Sequence, residues 1–315
     1  MNQLPGGVPN IFAPRGIAAA HLATLGWVLV VISLIVLALV LLALLIPLPW
    51  GRRDDALAEP RYRPGEHMFI LIVGAAIPAL VLFAVYLFSM KDIGIWQVNQ
   101  NQTADIEVIG HQWWWEVRYP KLHIQTANEI YIPSGTKVKV SLLSSDVIHS
   151  FWVPQLHGKL DMIPGRVNTF WIEADSAGRY RGECAEFCGQ QHAHMDFTVV
   201  SMPGAEFSRW AAAQALPASP PGSPAAVEGR TAFQDGGCAY CHSVNGNGAG
   251  GKVGPDLTHF ASRLTIGAGM LPNTRGFLAG WVVGAQHIKP GIRMPQVMLS
   301  GEQLQAVVAY LEGLK

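Results

Sequence analysis

Two long apolar runs near the start of the chain restrict its fold more than any other sequence feature. From Gly26 to Leu48, and again from Met68 to Met90, there is no charged side chain. Each run exceeds the ~20 residues that a helix needs to cross about 30 Å of hydrocarbon, and each is apolar on all sides. Pro78 and Gly74 are tolerated in membrane helices. We therefore predict a multidomain membrane protein with a two-helix transmembrane hairpin at residues 26–48 and 68–90.

The charges that flank these runs predict the orientation of the hairpin. The tail before the first run has only Arg15, whereas the loop between the runs has four arginines: Arg52, Arg53, Arg61 and Arg63. Short loops rich in Lys and Arg stay in the cytoplasm, so everything after Lys91 is predicted to lie on the outer side of a bacterial cytoplasmic membrane. A cleaved signal peptide is the alternative for the first run, but the run is too long and lacks a clear cleavage site.

Composition and cysteine spacing narrow the function of the remaining chain. Only 14% of the residues are charged and the formal net charge is zero, so the sequence offers no basic surface for nucleic acid. The four cysteines form two close pairs, Cys184/Cys188 and Cys238/Cys241, each with histidine nearby. A disulfide scaffold spreads its cysteines to close long loops, so these pairs indicate metal or haem attachment.

Residues 96–202 are predicted to form a β domain. β-branched segments such as Val138–Leu142 and Phe197–Val200 are separated by turn residues, which is typical of a sandwich or Greek-key barrel. The end of this domain combines Cys184, Cys188, His192 and Met195 in one loop, with His149 about 35 residues earlier. Thiolate, imidazole and thioether together suit a copper electron-transfer site, although a zinc site or a disulfide is an alternative for the two cysteines alone.

The spacing Cys-x-Glu-x-Cys-x3-His-x2-Met, preceded by the segment 149–154, resembles the CuA domain of cytochrome c oxidase subunit II. The segments 110–115 and 159–166 extend the resemblance. It implies a cupredoxin-like β-barrel that holds a dinuclear copper CuA centre. The implied ligands are Cys184 and Cys188 as bridging thiolates, His149 and His192 as imidazoles, and Met195 and the backbone carbonyl of Glu186 as weaker ligands. His194 is the alternative to His192.

The same resemblance assigns roles to three further side chains. It implies that Trp113 is the aromatic residue through which electrons reach the copper, whereas Trp114 and Trp115 could also be core or interfacial residues. It implies that the carboxylate of Glu186, with Asp161, faces a Mg²⁺ site at the junction with the catalytic subunit.

Residues 203–227 are predicted to be a linker rich in Pro and Ala, after which residues 228–315 form a small all-α domain. Cys238-Ala239-Tyr240-Cys241-His242 is the attachment motif of a c-type haem, with Cys238 and Cys241 forming thioethers and His242 binding the iron. A thioredoxin-like motif is the alternative, but it needs a βαβ context that is absent.

The segments 254–257 and 293–295 resemble class I cytochromes c. That resemblance implies Met294 as the second axial iron ligand, with Met298 and Met270 as rivals. Ser300 and Gln303 predict a capping box for a final helix.

Together these features resemble subunit II of a caa3-type haem–copper oxidase. The resemblance implies a proton-pumping cytochrome c oxidase in which haem c receives electrons from an external donor, such as cytochrome c, a copper protein or a quinol-oxidising complex. CuA then passes them to subunit I, with subunit III as a further partner. Two alternatives stay open: a CuA-containing nitric oxide reductase and a stand-alone membrane-anchored carrier.

One departure from the family concerns proton uptake. The family places a glutamate before the proline of its second helix, where this chain has Leu71. Glu66 is the nearest acid, and it is either a proton-uptake residue or a solvated charge at the helix end.

Overall fold

The computed structural model describes residues 10–45, 65–91 and 103–315. Two described helices are long and apolar enough to cross a membrane, and residues 21–97, which contain most of both, form a unit of their own. The first is α1 (Ile17–Leu45), which begins earlier than the predicted Gly26. The second runs through α2 (Glu66–Leu71), a π-helical turn (Ile72–Ala76) and α3 (Ile77–Met90). Residues 46–48, the arginine-rich loop and the side chain of Glu66 lie outside the described residues.

The π-helical turn lies directly before Pro78. A proline inside a helix lacks the N–H donor, and its ring clashes with the carbonyl of the residue four positions earlier, here Gly74. A wider turn is a common way for a helix to accommodate a proline, and here the helix continues from the turn at Ile72–Ala76 to Met90. The sequence therefore keeps one membrane span despite the proline.

Residues 103–202 form two five-stranded sheets, which we call the β domain. Its strands are β1 (Ile106–His111), β2 (Trp114–Tyr119), β3 (Ile124–Ala127), β4 (Glu129–Pro133), β5 (Val138–Ser144), β6 (His149–Trp152), β7 (Leu160–Met162), β8 (Asn168–Ile172), β9 (Gly178–Cys184) and β10 (Asp196–Met202). The sheet orders are β3-β2-β1-β5-β8 and β4-β10-β9-β6-β7. This is the expected cupredoxin-like fold.

The core of the β domain is aromatic. Trp115, Phe151 and Phe197 pack edge-on or tilted, with ring centroids 4.5–6.1 Å apart. All three are almost fully buried, and the Trp115 indole donates a hydrogen bond to the Met195 carbonyl, 3.2 Å away. Trp115 is therefore a core residue that also anchors the end of the predicted ligand loop.

The predicted linker 203–227 is mostly helical. Helix α4 (Gly204–Gln214) packs on the β domain through Trp210, whose ring stacks on Tyr131 at 4.3 Å. Helix α5 (Pro224–Asp235) begins inside the predicted linker, with Ser223 as its N-cap. The extended part of the predicted linker is thus limited to residues 216–223. The helix α4 was not predicted because its apolar face is buried by tertiary packing, which composition does not reveal.

Residues 224–315 form what we call the C-terminal domain. It contains α5, α6 (Cys238–Cys241), α7 (Arg275–Ile288) and α8 (Gly301–Glu312), with short strands β11 (Ser243–Val244), β12 (Ala249–Gly250), β13 (Thr265–Ile266) and β14 (Leu271–Pro272). Helices α5 and α8 pack so closely that the Ala306 carbonyl occupies the space where a Cβ of Gly229 would lie. The predicted capping box at Ser300 and Gln303 is confirmed, and α8 buries its apolar stripe.

Candidate metal centre and haem cavity

The strand register brings His149 to the cysteine loop. Strands β6 and β9 run antiparallel, with Phe151 opposite Cys184, so His149 lies beside the residues that follow Cys184. The loop from Cys184 to Met195 then joins the neighbouring strands β9 and β10. Residues separated by 35 positions in the chain thereby share one end of one sheet.

The side chains at this end offer a compact set of soft donor atoms. The two cysteine Sγ atoms are 3.7 Å apart, too far for a disulfide, whose S–S bond is about 2.05 Å. His149 Nδ1 lies 3.9 Å from Cys184 Sγ, and His192 Nδ1 lies 3.6 Å from Cys188 Sγ. Met195 Sδ is 3.8 Å from Cys188 Sγ. One imidazole beside each of two adjacent sulfurs is a donor set that would hold a pair of copper ions.

The hydrogen bonds around these atoms favour metal binding. The hydrogen bond with Cys188 lowers the pKa of the Cys184 thiol despite burial, and the same pairing raises the pKa of Cys188. A thiolate is the form that binds metal, so a lowered thiol pKa favours metal binding. His149 Nε2 lies 2.9 Å from Asp146 Oδ1, which leaves Nδ1 facing Cys184. Asp146 is a positioning partner that sequence reasoning missed.

The remaining residues that the sequence predicted for this site have different surroundings in the structure. His194 Nδ1 lies 2.8 Å from Gln191 Oε1 and His192 faces Cys188 instead. The Glu186 carbonyl accepts from Cys184 at 3.3 Å, while its half-exposed carboxylate lies 3.6 Å from Lys159 Nζ. Asp161 is 3.9 Å from the same ammonium group, so a lysine already lies close to both predicted Mg²⁺ ligands.

A cavity of about 1130 Å³, including its open mouth, lies against the C-terminal domain. Cys238, Cys241 and His242 line one wall, and Met294 and Pro295 are among the other lining residues. Both thiols are free and half-buried. A mainly apolar cavity that brings together two thiols, an imidazole and a thioether fits a covalently attached haem.

The ring of His242 is oriented for iron. Its Nδ1 lies 2.7 Å from the Pro255 carbonyl, which can only accept, so Nδ1 carries the proton and Nε2 keeps its lone pair. Burial lowers the pKa of His242, which keeps the imidazole neutral. Both features suit a side chain that would bind the haem iron.

The three predicted methionine candidates occupy different positions. Met294 lines the cavity, and its carbonyl accepts a 2.6 Å hydrogen bond from Gln286. Met298 is 90% exposed, and neither it nor Met270 is among the lining residues. Of the three candidates, Met294 is therefore the one that could hold the haem iron together with His242.

Trp113 lies between the two candidate sites. It is one of the residues that line the haem cavity, and its indole N–H donates a 3.0 Å hydrogen bond to the Cys188 carbonyl. The neighbouring Trp114 lines the same cavity but stacks on His111 at 4.3 Å. Trp113 is therefore in contact with both the cavity and the thiol loop.

Comparisons with known proteins agree with this arrangement. Residues 120–202 match the family model "Cytochrome C oxidase subunit II, periplasmic domain", and residues 226–315 match "Cytochrome c". Cytochrome c oxidase subunit 2 of Alkalihalophilus pseudofirmus is 38% identical over 247 residues, which are 78% of this chain and 70% of the relative. The Bacillus subtilis protein of the same name is 32% identical over 267 residues, 78% and 75% of the two chains.

Among solved structures, the periplasmic domain of subunit II of cytochrome oxidase from Bradyrhizobium japonicum is similar to part of the chain, with 30% identity and a TM-score of 0.34. The match covers 36% of this chain and 95% of that one.

Proposed function

The chain belongs to the cytochrome c oxidase subunit II family, and we propose that it accepts electrons for a proton-pumping oxidase through a covalent haem c and a CuA centre. The electrons come from an external one-electron donor and go on to subunit I, which reduces oxygen to water. Haem c and CuA, when bound, each supply reversible storage of one electron. The haem would be held by Cys238, Cys241, His242 and Met294, and CuA by Cys184, Cys188, His149, His192, Met195 and the Glu186 carbonyl.

One observation supports this function above the others: Trp113 reaches from the haem cavity to the backbone of Cys188. Trp113 is only 9% exposed, so water is largely excluded from this connection. Electron transfer through a rigid, dry contact requires little reorganisation of the surroundings. We assign Trp113 as the residue through which electrons pass from the haem side to the copper side.

The membrane hairpin anchors the chain, and we propose that it lies in the bacterial inner membrane with the other two domains outside. We further propose subunits I and III as partners and Mg²⁺ at Glu186 and Asp161. Binding of Mg²⁺ there requires Lys159 to move away from the two carboxylates.

The ligand assignment is tested by replacing Cys184 or Cys188 with Ser in the full chain. We expect two coppers and one covalent haem per wild-type chain, and loss of the mixed-valence two-copper signal in either variant, because a hydroxyl is a poor bridging ligand for copper. The haem spectrum should stay unchanged. A two-copper signal that survives in both variants, or zinc alone in the loaded protein, would contradict the proposal.

The reaction itself is tested on the purified complex. Turnover of oxygen with a reduced one-electron donor is expected, and turnover of nitric oxide in place of oxygen would instead identify a nitric oxide reductase. Recovery of this chain without any partner after gentle solubilisation would favour a stand-alone carrier.

A further inference from the structure

The β domain and the C-terminal domain meet through hydrogen bonds that end largely on main-chain atoms. We call this set the interdomain contact. Glu129 Oε1 accepts from the amides of Leu264 and Thr265, 2.6 and 3.4 Å away. The Asp196 amide donates to the Ala268 carbonyl at 3.1 Å, and Gln191 Nε2 donates to the Pro290 carbonyl at 2.7 Å.

Lys289 is a buried cation within the interdomain contact. It follows α7 in the C-terminal domain, is 1% exposed and lines the haem cavity. Its Nζ donates to three carbonyls: Gly267 at 2.9 Å, Trp113 at 2.9 Å and His194 at 2.6 Å. An ammonium group has three N–H donors, so all of them are used. Two of the three acceptors belong to the β domain.

The positions of these two acceptors connect Lys289 to electron transfer. Trp113 is the residue that contacts both the cavity and Cys188, and His194 precedes Met195 in the copper-binding loop. A shift of Lys289 therefore shifts the backbone at both places. The cofactor assignments alone give no role to a lysine at this point.

The backbone of the C-terminal domain is shaped to meet Lys289 and the β domain. Residues 267–269 all have positive φ, including Ala268 at 61°, a conformation that costs a residue with a side chain about 1 kcal/mol or more. This conformation turns the Gly267 carbonyl to Lys289 and the Ala268 carbonyl to Asp196. A Cβ at Gly269 would lie 2.7 Å from the Asp196 Cβ, so glycine permits the close approach there.

A buried lysine is unfavourable unless its interactions offset desolvation. Burial lowers the pKa of Lys289, while the Asp196 carboxylate opposes the shift and favours the charged form. Replacement of a buried charged group by an apolar one leaves its acceptors unpaired, so three carbonyls in two domains depend on this side chain.

From these contacts we propose that Lys289 is a positioning residue for electron transfer: its ammonium group holds the C-terminal domain against Trp113 and the copper-binding loop, and thereby sets the rate at which electrons leave the haem side for the copper side. The inference rests on the proposed function. The step moves one electron from the reduced C-terminal domain to the oxidised β domain, and no proton moves and no bond forms or breaks.

The test uses Lys289→Met in the full chain within its complex, because methionine keeps an apolar stem of similar length but has no donor. After rapid reduction of the haem, the rate of copper reduction should fall about tenfold or more, because the docked arrangement loses its hydrogen bonds from a charged group and is populated less. Amide hydrogen exchange of residues 264–269 should rise as the interdomain contact opens. The copper and haem spectra should match those of the wild type.

Two further variants complete the experiment. Lys315→Met removes a charge from an exposed position of the same domain and should leave both the rate and the exchange unchanged. Lys289→Gln, which keeps two donors on a shorter stem, should give an intermediate loss and serves if Lys289→Met does not fold.

The outcomes separate the inference from the proposed function. If the wild type shows no transfer from haem to copper, the proposed function fails. If the wild type transfers electrons and Lys289→Met leaves either the rate or the exchange unchanged, the positioning role is overturned.

Discussion

At the scale of single residues, the candidate sites depend on how each side chain is held by a second group. Asp146 holds His149 so that Nδ1 faces Cys184, and the Pro255 carbonyl holds His242 so that Nε2 is available. The Cys188 carbonyl orients the Trp113 indole in the same way. In each case a hydrogen-bonding partner determines which ring atom faces the candidate site. Such partners therefore matter for the function of metal sites.

The role of Trp113 leads to a prediction at this scale. Trp113→Phe keeps an aromatic ring in the wall of the cavity but removes the N–H that reaches Cys188. We expect copper reduction by the haem to slow severalfold while the two-copper signal persists, measured after rapid reduction of the haem. Trp171→Phe, in β8, should keep the wild-type rate. An unchanged rate in Trp113→Phe would show that electrons pass by another route.

At the scale of elements, strand register positions the candidate metal ligands, and helix packing forms the core of the C-terminal domain. The pairing of β6 with β9 places His149 at the cysteine loop, and the α5–α8 contact forms much of the core of the C-terminal domain. Helices approach this closely only where a small residue lies at the crossing point. In α5 that residue is Gly229, whose Cβ position lies 1.9 Å from the Ala306 carbonyl oxygen and 2.8 Å from the Tyr310 Cβ.

We therefore predict that Gly229→Val destabilises the C-terminal domain by about 3 kcal/mol through overpacking. In a domain of this size such a loss lowers Tm by roughly 12 °C or more, which thermal unfolding of the full chain can measure at the haem absorbance. Gly280→Ala in α7 is the matched control, because the space around Gly280 is open. It should leave Tm unchanged or raise it, since alanine is the better helix former. Equal Tm values for Gly229→Val and the wild type would refute the packing argument.

At the scale of the whole molecule, the interdomain contact makes the stability of the docked arrangement depend on pH. Burial raises the pKa of Glu129, although the Tyr131 hydroxyl, the amides of Leu264 and Thr265, and Arg263 all favour its ionised form. Because the pKa is higher in the folded state, the stabilisation is complete below the ordinary value of 4.5 and is lost as the pH rises through the raised pKa.

The direction of this pH dependence leads to a prediction for the variant Glu129→Gln. Glutamine keeps an oxygen acceptor for the two amides but cannot ionise. The Tm of the full chain should fall less steeply than that of the wild type as the pH rises above 4.5, the ordinary pKa of the group. Glu228→Gln, at an exposed position of α5, should keep the wild-type slope. Identical slopes in Glu129→Gln and the wild type would exclude Glu129 as the source of the dependence.

Much of this organisation could be predicted from the sequence because it depends on local spacing. The apolar runs need only length and composition to indicate membrane helices, and the family, the cupredoxin-like fold and the helical cytochrome c domain were all predicted and are confirmed. The capping box at Ser300 was predictable because both partners lie within one helical turn. The helix α4 could not be predicted from its linker-like composition. It packs on the β domain through Trp210 and Tyr131, which is a tertiary contact that local sequence does not show.

The sequence by itself determined which chemistry the chain carries: two membrane helices, a loop of soft metal donors and a haem attachment motif. Only the tertiary structure decided how the parts meet. Lys289, Glu129 and Gln191 bind main-chain atoms of distant residues, and every residue presents the same main-chain groups. No pattern of side chains can therefore identify their partners, and the contact exists only once the fold brings those carbonyls and amides together.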